Sequence, residues 1–138
     1  MHLQMSMNKP RALFVDDTPP LLSCFRLILK PLECMWELLY AASGEEALDI
    51  VCQAPVDVLI CDLNMPTMTG NEVISMVQLK HPATVCYLMT GCAADDSLIS
   101  GTRGLAGIFH KPCDMNQIRA ALIQNANALR LLSVEEAA

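Results

Sequence analysis

The chain is predicted to be an α/β protein, a doubly wound parallel sheet of five strands with helices on both faces. Three observations predict it. Five short apolar runs, rich in Val, Ile and Leu, are spaced along the sequence. Each stops at a polar group, and the segments between them carry apolar residues at helical rather than alternating spacing. Continuous apolar strands alternating with amphipathic helices imply a parallel sheet covered on both sides. At 138 residues, 53% of them hydrophobic, there is enough apolar material for one domain and little for a second.

The elements follow in order. Residues 1–9 read as a flexible tail, 10–126 as the domain and 127–138 as a C-terminal helical extension. Ala12-Leu13-Phe14-Val15 is the first strand and stops at Asp16-Asp17. Thr18-Pro19-Pro20 opens a helix, with a capping hydroxyl and prolines suited to a first turn. Leu21, Leu22, Phe25, Ile28 and Leu29 form its buried stripe until Pro31. Trp36 to Ala42 is the second strand. Ser43 with Glu46 three residues later reads as a capping box, and Ala47, Leu48, Val51 and Cys52 as the apolar face behind it. Val56 to Leu63 is the third strand and contains Asp62. The loop Asn64–Gly70 leads into a helix from Asn71 that buries Val73, Ile74, Val77 and Met76, and His81-Pro82 breaks it. Thr84 to Met89 is the fourth strand, ending at Thr90-Gly91. Asp95 to Arg103 is a weak polar helix capped by Asp95 and Asp96. Gly107 to His110 is the fifth strand, ending at Lys111-Pro112. Asp114 or Asn116 caps the last helix, whose stripe is Ile118, Leu122, Ala126, Leu129 and Leu132. That stripe is longer than the domain needs; a long last helix, a lead into an output domain and a dimer seam are its three readings.

The charge excludes several functions. Nine Lys and Arg against fifteen Asp and Glu give a formal charge of -6, and the cations are scattered. A phosphate backbone or an anionic lipid surface wants a basic stripe, so direct nucleic-acid or membrane binding is not expected. The seven Cys show no C-x-x-C spacing, so they read as small buried thiols rather than disulfides or a zinc site. No signal peptide or membrane span is visible, and a soluble cytoplasmic protein is expected.

In open parallel sheets ligands bind at the carboxyl ends of the strands. Here that rim collects Asp16 and Asp17 after the first strand, Asp62 on the third, Thr90 on the fourth and Lys111 after the fifth. Three converging carboxylates repel: a pair at about 4 Å costs roughly 4 kcal/mol at an effective dielectric near 20. Raised pKa values or a hard divalent cation relieve this, and Mg²⁺ suits carboxylate oxygens. Cation, Lys111 and Thr90 together would complement the oxygens of a phosphoryl group in transfer to a carboxylate.

From about Ala12 to Leu122 the chain resembles a response-regulator receiver domain of the single-domain chemotaxis type. The resemblance rests on Val15-Asp16-Asp17, on Asp62-Leu63-Asn64-Met65-Pro66 with Gly70, on Thr90-Gly91 and on Lys111-Pro112, each at a predicted strand end. It implies a flavodoxin-like strand order 2-1-3-4-5. It implies that Asp62 is the phosphoacceptor, that Asp17 ligates Mg²⁺ (or a related ion such as Mn²⁺) directly and Asp16 through water, and that Asn64 offers its backbone carbonyl. Thr90 would bond the phosphoryl group and Lys111 pair with it, and Gly91 is the small residue that admits the donor. Asn64 and Cys92 stand where the family tunes phosphoryl lifetime. The partners implied are a sensor histidine kinase or histidine phosphotransfer protein and a downstream target or fused output domain. The domain would catalyse its own phosphorylation from such a donor, and its own dephosphorylation. The responsive face would be the fourth helix, fifth strand and fifth helix, through which a homodimer could also form.

The family usually has Tyr or Phe three residues before its Lys; here that switch position is Ile108, and Phe109 beside it points to the opposite face by strand alternation. Thr18 stands where an acidic residue often follows the Asp pair. The Ile108 departure motivates an alternative, a phosphorylation-independent interaction module with the same fold. An aspartyl-phosphate hydrolase with D-x-D on the first strand does not match, and the acidic, glycine-free loop after that strand argues against dinucleotides. His110 reads as a strand-end surface histidine, and Met65, Met68, Met76 and Met89 as core filling and loop anchors.

Overall fold

A computed structural model describes residues 9–91 and 96–137. The strands are β1 (Arg11–Val15), β2 (Glu37–Ala41), β3 (Val58–Asp62), β4 (Val85–Thr90) and β5 (Leu105–His110). The helices are α1 (Pro19–Leu29), α2 (Gly44–Gln53), α3 (Gly70–Lys80), α4 (Asp96–Ser100) and α5 (Met115–Ala137), with a 3-10 turn at Lys30–Cys34 after α1. All strand pairs are parallel, in the order β2-β1-β3-β4-β5. The expected fold and strand order are therefore those observed. The order reverses at β1, so the carboxyl ends of β1 and β3 flank the switch point where such sheets bind ligands.

Two cores sandwich the sheet. On one face Leu13, Val15, Leu59 and Cys61 pack against Ala47 and Val51 of α2 and Val73, Ile74 and Val77 of α3. On the other, Phe14, Val58, Ile60 and Met89 pack against Leu22, Phe25 and Leu29 of α1 and Ile118 and Leu122 of α5. β1 and β3 are covered on both faces, which is why they read as unbroken apolar runs. Trp36 locks the entry of β2 to α5 by donating from Nε1 to the Leu122 carbonyl at 3.2 Å.

Several sequence expectations are corrected. Thr18 precedes α1 but makes no side-chain cap. Pro19 and Pro20 have no N–H to satisfy, and the Leu21 N–H already reaches the Thr18 carbonyl at 3.0 Å. Cys52 and Met76 face solvent, because the buried stripes of α2 and α3 are narrower than their apolar composition suggests. The reading of the thiols as buried holds for Cys61 and Cys86; Cys24, Cys34 and Cys52 are exposed and Cys113 is half-buried. α4 is shorter than expected, and β5 begins earlier, at Leu105, with an irregular register opposite Cys86 and Tyr87 that takes in Ala106. Cys92 and Asp95 lie outside the described residues, as does most of the expected N-terminal tail.

The remaining signals find partners. Ser43 Oγ accepts the Glu46 N–H at 3.1 Å, and Glu46 Oε1 accepts the Ala42 N–H at 2.7 Å, one residue further back than a strict capping box. Asp114 rather than Asn116 caps α5, accepting the Asn116 N–H at 2.9 Å. The apolar stripe of α5 leaves the domain before its end: Ile118 and Leu122 are buried, and Leu132 is exposed. Among the described residues no helix is long and apolar enough to cross a membrane.

Candidate functional site

The rim of the sheet gathers the predicted residues. Asp16 follows β1 directly, still in the ladder through its N–H to the Ala41 carbonyl at 3.1 Å, and is wholly buried. Its two oxygens are both engaged. Oδ1 accepts the Thr18 N–H at 2.8 Å, and Oδ2 accepts from Lys111 Nζ at 2.8 Å. Asp62 ends β3 with only 4% of its surface exposed, and its Oδ1 lies 3.2 Å from the same ammonium. Asp17 is exposed, and a carboxylate oxygen from each of Asp16, Asp17 and Asp62 falls within 4.8 Å of the others.

Each position has a local cause. Val15 pairs with Cys61 in the β1–β3 ladder, which sets Asp16 beside Asp62. The Leu63 N–H donates to the Met89 carbonyl at 2.9 Å and holds the end of β3 against β4. The Lys111 N–H donates to the Thr90 carbonyl at 2.7 Å and brings the lysine back over the cleft, where a cis Lys111-Pro112 bond follows. Gly70 opens α3 against the end of β3: its N–H donates to the Leu63 carbonyl at 2.9 Å, and a Cβ there would land on the Asp62 carbonyl oxygen. Before it the loop makes a tight turn at Thr67, whose φ is +74°, with the Met68 N–H donating to the Pro66 carbonyl at 2.8 Å.

Three carboxylates facing one ammonium leave the cleft with excess negative charge. Burial, then the Asp16 charge, pushes the Asp62 carboxyl above the ordinary carboxylate range, against the pull of Lys111 and of the Asn64 N–H hydrogen-bonded to it. Burial works to lower the Lys111 ammonium, but its bond to Asp16 and the attraction of both carboxylates outweigh this and hold it above the usual lysine value. An oxygen-only donor set with uncompensated negative charge fits a hard divalent cation.

The other predicted residues are placed as follows. Thr90 is buried at the end of β4, and Gly91 is exposed alongside the Lys111 side chain, with room for a Cβ at ordinary contact distance. Asn64 is exposed just past Asp62, and its backbone N–H donates to that carboxylate. Ile108 is half-buried and pairs with Leu88, whereas Phe109 is buried in the core toward α1 and α5, stacked on Tyr87 with centroids 5.2 Å apart. His110 is exposed, paired in register with Thr90.

Two features were missed from the sequence. The Thr18 N–H closes on Asp16 Oδ1, an Asx-type turn that the spacing Asp16-Asp17-Thr18 could have signalled. Tyr87 on β4 accepts a hydrogen bond at its hydroxyl from Asn125 of α5 at 2.8 Å, a pairing across 38 residues that no local pattern announces.

Residues 12–123 match the family model described as the response regulator receiver domain. Among curated proteins the chain is 26% identical over 132 residues to the response regulator protein PilR of Pseudomonas aeruginosa, covering 95% of this chain and 29% of that protein. It is 30% identical over 120 residues to the sensor histidine kinase TmoS of Ectopseudomonas mendocina, covering 85% of this chain and 12% of that protein. The chain thus spans less than a third of these relatives. Among solved structures it superposes on the signal receiver domain of an HD domain-containing protein from Pseudomonas fluorescens with a TM-score of 0.79, at 24% identity, covering 88% of this chain and 97% of that one. A two-component transcriptional regulator from Clostridium phytofermentans gives 0.77 at 25% identity, with 92% and 99% covered. The family match covers most of the chain and both ends of the acidic cleft, from Asp16 to Lys111, and on that ground the chain belongs to the response-regulator receiver family.

Proposed function

We propose that the chain is a phosphoacceptor receiver of a two-component phosphorelay and that Asp62 takes the phosphoryl group. The observation that carries this reading is the single Lys111 ammonium held 2.8 Å from Asp16 and 3.2 Å from Asp62 at the switch point of the sheet. The donor is a phosphohistidine of a sensor histidine kinase or histidine phosphotransfer protein. An Asp62 carboxylate oxygen attacks phosphorus, the phosphorus–nitrogen bond breaks, and the imidazole nitrogen leaves with the electron pair. Lys111 neutralises charge on the incoming phosphoryl oxygens, and the Thr90 hydroxyl donates to one of them. Asp16, Asp17, Asp62 and the Asn64 carbonyl hold Mg²⁺, which when bound screens the carboxylates and neutralises phosphoryl charge. Gly91 leaves the approach to Lys111 open. Output passes to a downstream protein or a fused domain through α4, β5 and α5.

Ile108 favours a second reading, an interaction module that works without phosphate, because the half-buried aliphatic side chain offers no hydroxyl or ring to couple to Thr90. Intact-mass measurement after incubation with a small phosphodonor and Mg²⁺ decides between them. A single phosphoryl adduct on the wild type, absent from Asp62→Asn, supports the phosphoacceptor; an unchanged wild-type mass across several donors supports the module.

A further inference from the structure

α3 is tied at both ends. Its first residue, Gly70, sits on the end of β3 with no clearance, since a Cβ there would land on the Asp62 carbonyl oxygen. Two turns on, the half-buried Gln78 donates from Nε2 to the Arg103 carbonyl at 2.7 Å. That bond joins α3 to the exposed loop between α4 and β5, 25 residues away in sequence.

The loop is shaped for this contact. Gly104 has a φ of +74°, a conformation that residues with a side chain rarely adopt. A Cβ on it would also come within 2.9 Å of Gln78 Nε2. Glycine is therefore required twice, by the backbone and by the amide packed against it. The neighbouring bonds stay local: the Thr102 hydroxyl donates to the Leu98 carbonyl at 2.8 Å, and the Gly101 N–H to the Ser97 carbonyl at 3.2 Å. The ladder that follows is irregular at its start, where Leu105 pairs with Cys86 and Gly107 with Tyr87.

The link from Asp62 to α3 is strained. Thr67 is a β-branched residue at φ +74°, and the Met68 N–H closes on the Pro66 carbonyl two residues back, the rare γ-turn of positive φ. Strain of this kind is a mark of segments that have a second arrangement close in energy.

We propose that Gln78 is a latch. It holds the α4–β5 loop against α3 while Asp62 carries no phosphoryl group, and a phosphoryl group on Asp62 releases it by relaxing the Thr67 turn and shifting α3. The release rests on the phosphoacceptor reading; the latch itself does not. Gly70 meets backbone, so a displacement at the end of β3 passes into α3 and is not absorbed by a rotamer. Gly70 and Gln78 are roughly 12 Å apart along the helix. A hydrogen bond of 2.7 Å is lost within about 1 Å of travel. Its loss frees the end of α4 and the entry of β5.

The test is limited trypsin digestion of the full chain, read by mass spectrometry at the Arg103–Gly104 bond. Cleavage after Arg26, inside α1, is the reference for global opening. Gln78→Ala is expected to speed cleavage after Arg103 by roughly threefold to tenfold, the scale of one hydrogen bond in an opening equilibrium, and to leave Arg26 unchanged. Gln78→Glu, which keeps the size and loses the donor, does the same. Wild type labelled by acetyl phosphate with Mg²⁺ is cut faster by a similar factor, and labelled Gln78→Ala no faster than unlabelled. Cleavage of either variant at the wild-type rate overturns the latch. A wild type that carries the adduct by intact mass but is cut at the unlabelled rate overturns the release, as does further acceleration of Gln78→Ala on labelling. If no adduct forms, the phosphoacceptor reading fails and the release with it, while the two variants still decide the latch.

Discussion

Lys111 Nζ stands 2.8 Å from Asp16 Oδ2, a contact that joins residues 95 apart in sequence and closes the end of β5 onto the end of β1. The same nitrogen reaches Asp62, so one ammonium offsets two buried carboxylates. Replacing Lys111 with Met leaves both without a countercharge, and the expected loss in metal-free buffer is on the order of 2–3 kcal/mol by urea unfolding. The folded-state lysine is held above its ordinary value, so its contribution is complete below the unfolded lysine range and disappears as pH climbs through the folded one. The gap between wild type and Lys111→Met therefore closes at strongly alkaline pH. A gap that stays constant there means that the lysine stabilises by packing, not by charge.

Asp62 has the opposite balance. Burial and Asp16 push its carboxyl up, so its charged form is a burden on the fold. Asp62→Asn is expected to raise stability at neutral pH by on the order of 1 kcal/mol without divalent ions. A raised carboxyl stabilises fully below the unfolded carboxylate range and loses that contribution as pH rises through the folded value. The advantage of the Asn variant accordingly shrinks on acidification, and it shrinks at neutral pH when millimolar Mg²⁺ screens the wild type. Thermal melts of both proteins with and without Mg²⁺ read this directly; an advantage unchanged by Mg²⁺ would falsify the cation assignment at this cleft.

The fold was legible because β1 and β3 are buried on both faces, so their apolar runs need no partner to be recognised. The candidate site was legible because each of its charged members sits at the polar stop of such a run, and the topology rule for parallel sheets brings those stops together. What the sequence hid depends on contacts between distant residues or on backbone already satisfied. Thr18 looked like a cap, yet two prolines left nothing for its hydroxyl to cap. Cys52 and Met76 are apolar by composition and exposed by helix phase, which an error of one residue in stripe width cannot distinguish. The hydrogen bond from Asn125 to Tyr87 exists only because α5 lies across β4.

Gly70 and Gly91 both border the site but have different freedom. A Cβ at Gly70 would strike the Asp62 carbonyl and come within 2.9 Å of the Leu63 Cα, both backbone atoms that a rotamer change cannot move aside. Gly70→Ala is expected to cost about 3 kcal/mol and to slow labelling of Asp62 by displacing the end of β3. At Gly91 the nearest atom to an added Cβ is Lys111 Cβ at 3.5 Å. Gly91→Ala should change stability by less than about 0.5 kcal/mol, the range of ordinary surface substitutions. Denaturant midpoints for the pair test the contrast, and equal midpoints would contradict the packing at Gly70.

The thiols should separate by burial. Cys61 and Cys86 are buried, and desolvation, joined at Cys61 by the charge of Asp62, pushes both thiols well above the usual cysteine value, to about 11 at Cys86. A thiolate is the reactive species, so both should resist alkylation in the native state. Cys24, Cys34 and Cys52 are exposed. Peptide mapping after brief native alkylation should find the label on these three and not on Cys61 or Cys86, which react only after denaturation.

Tyr87 offers a test of how α5 is attached to the sheet. Its ring stacks on Phe109 at 5.2 Å, and its hydroxyl accepts from Asn125 Nδ2 at 2.8 Å, while the same amide nitrogen also donates to the Ala121 carbonyl at 2.8 Å. Tyr87→Phe keeps the stack and removes one hydrogen-bond partner, so the expected cost is about 1 kcal/mol. Tyr87→Ala also removes the ring and is expected to cost about 3–4 kcal/mol, in the range of large-to-small aromatic changes in cores. Asn125→Ala should cost nearly as much as Tyr87→Phe, and the double substitution little more than either, because the two delete the same bond. Additive losses in that cycle would show that the Asn125 amide acts through Ala121 alone, and that α5 is held to β4 by ring packing without the hydroxyl.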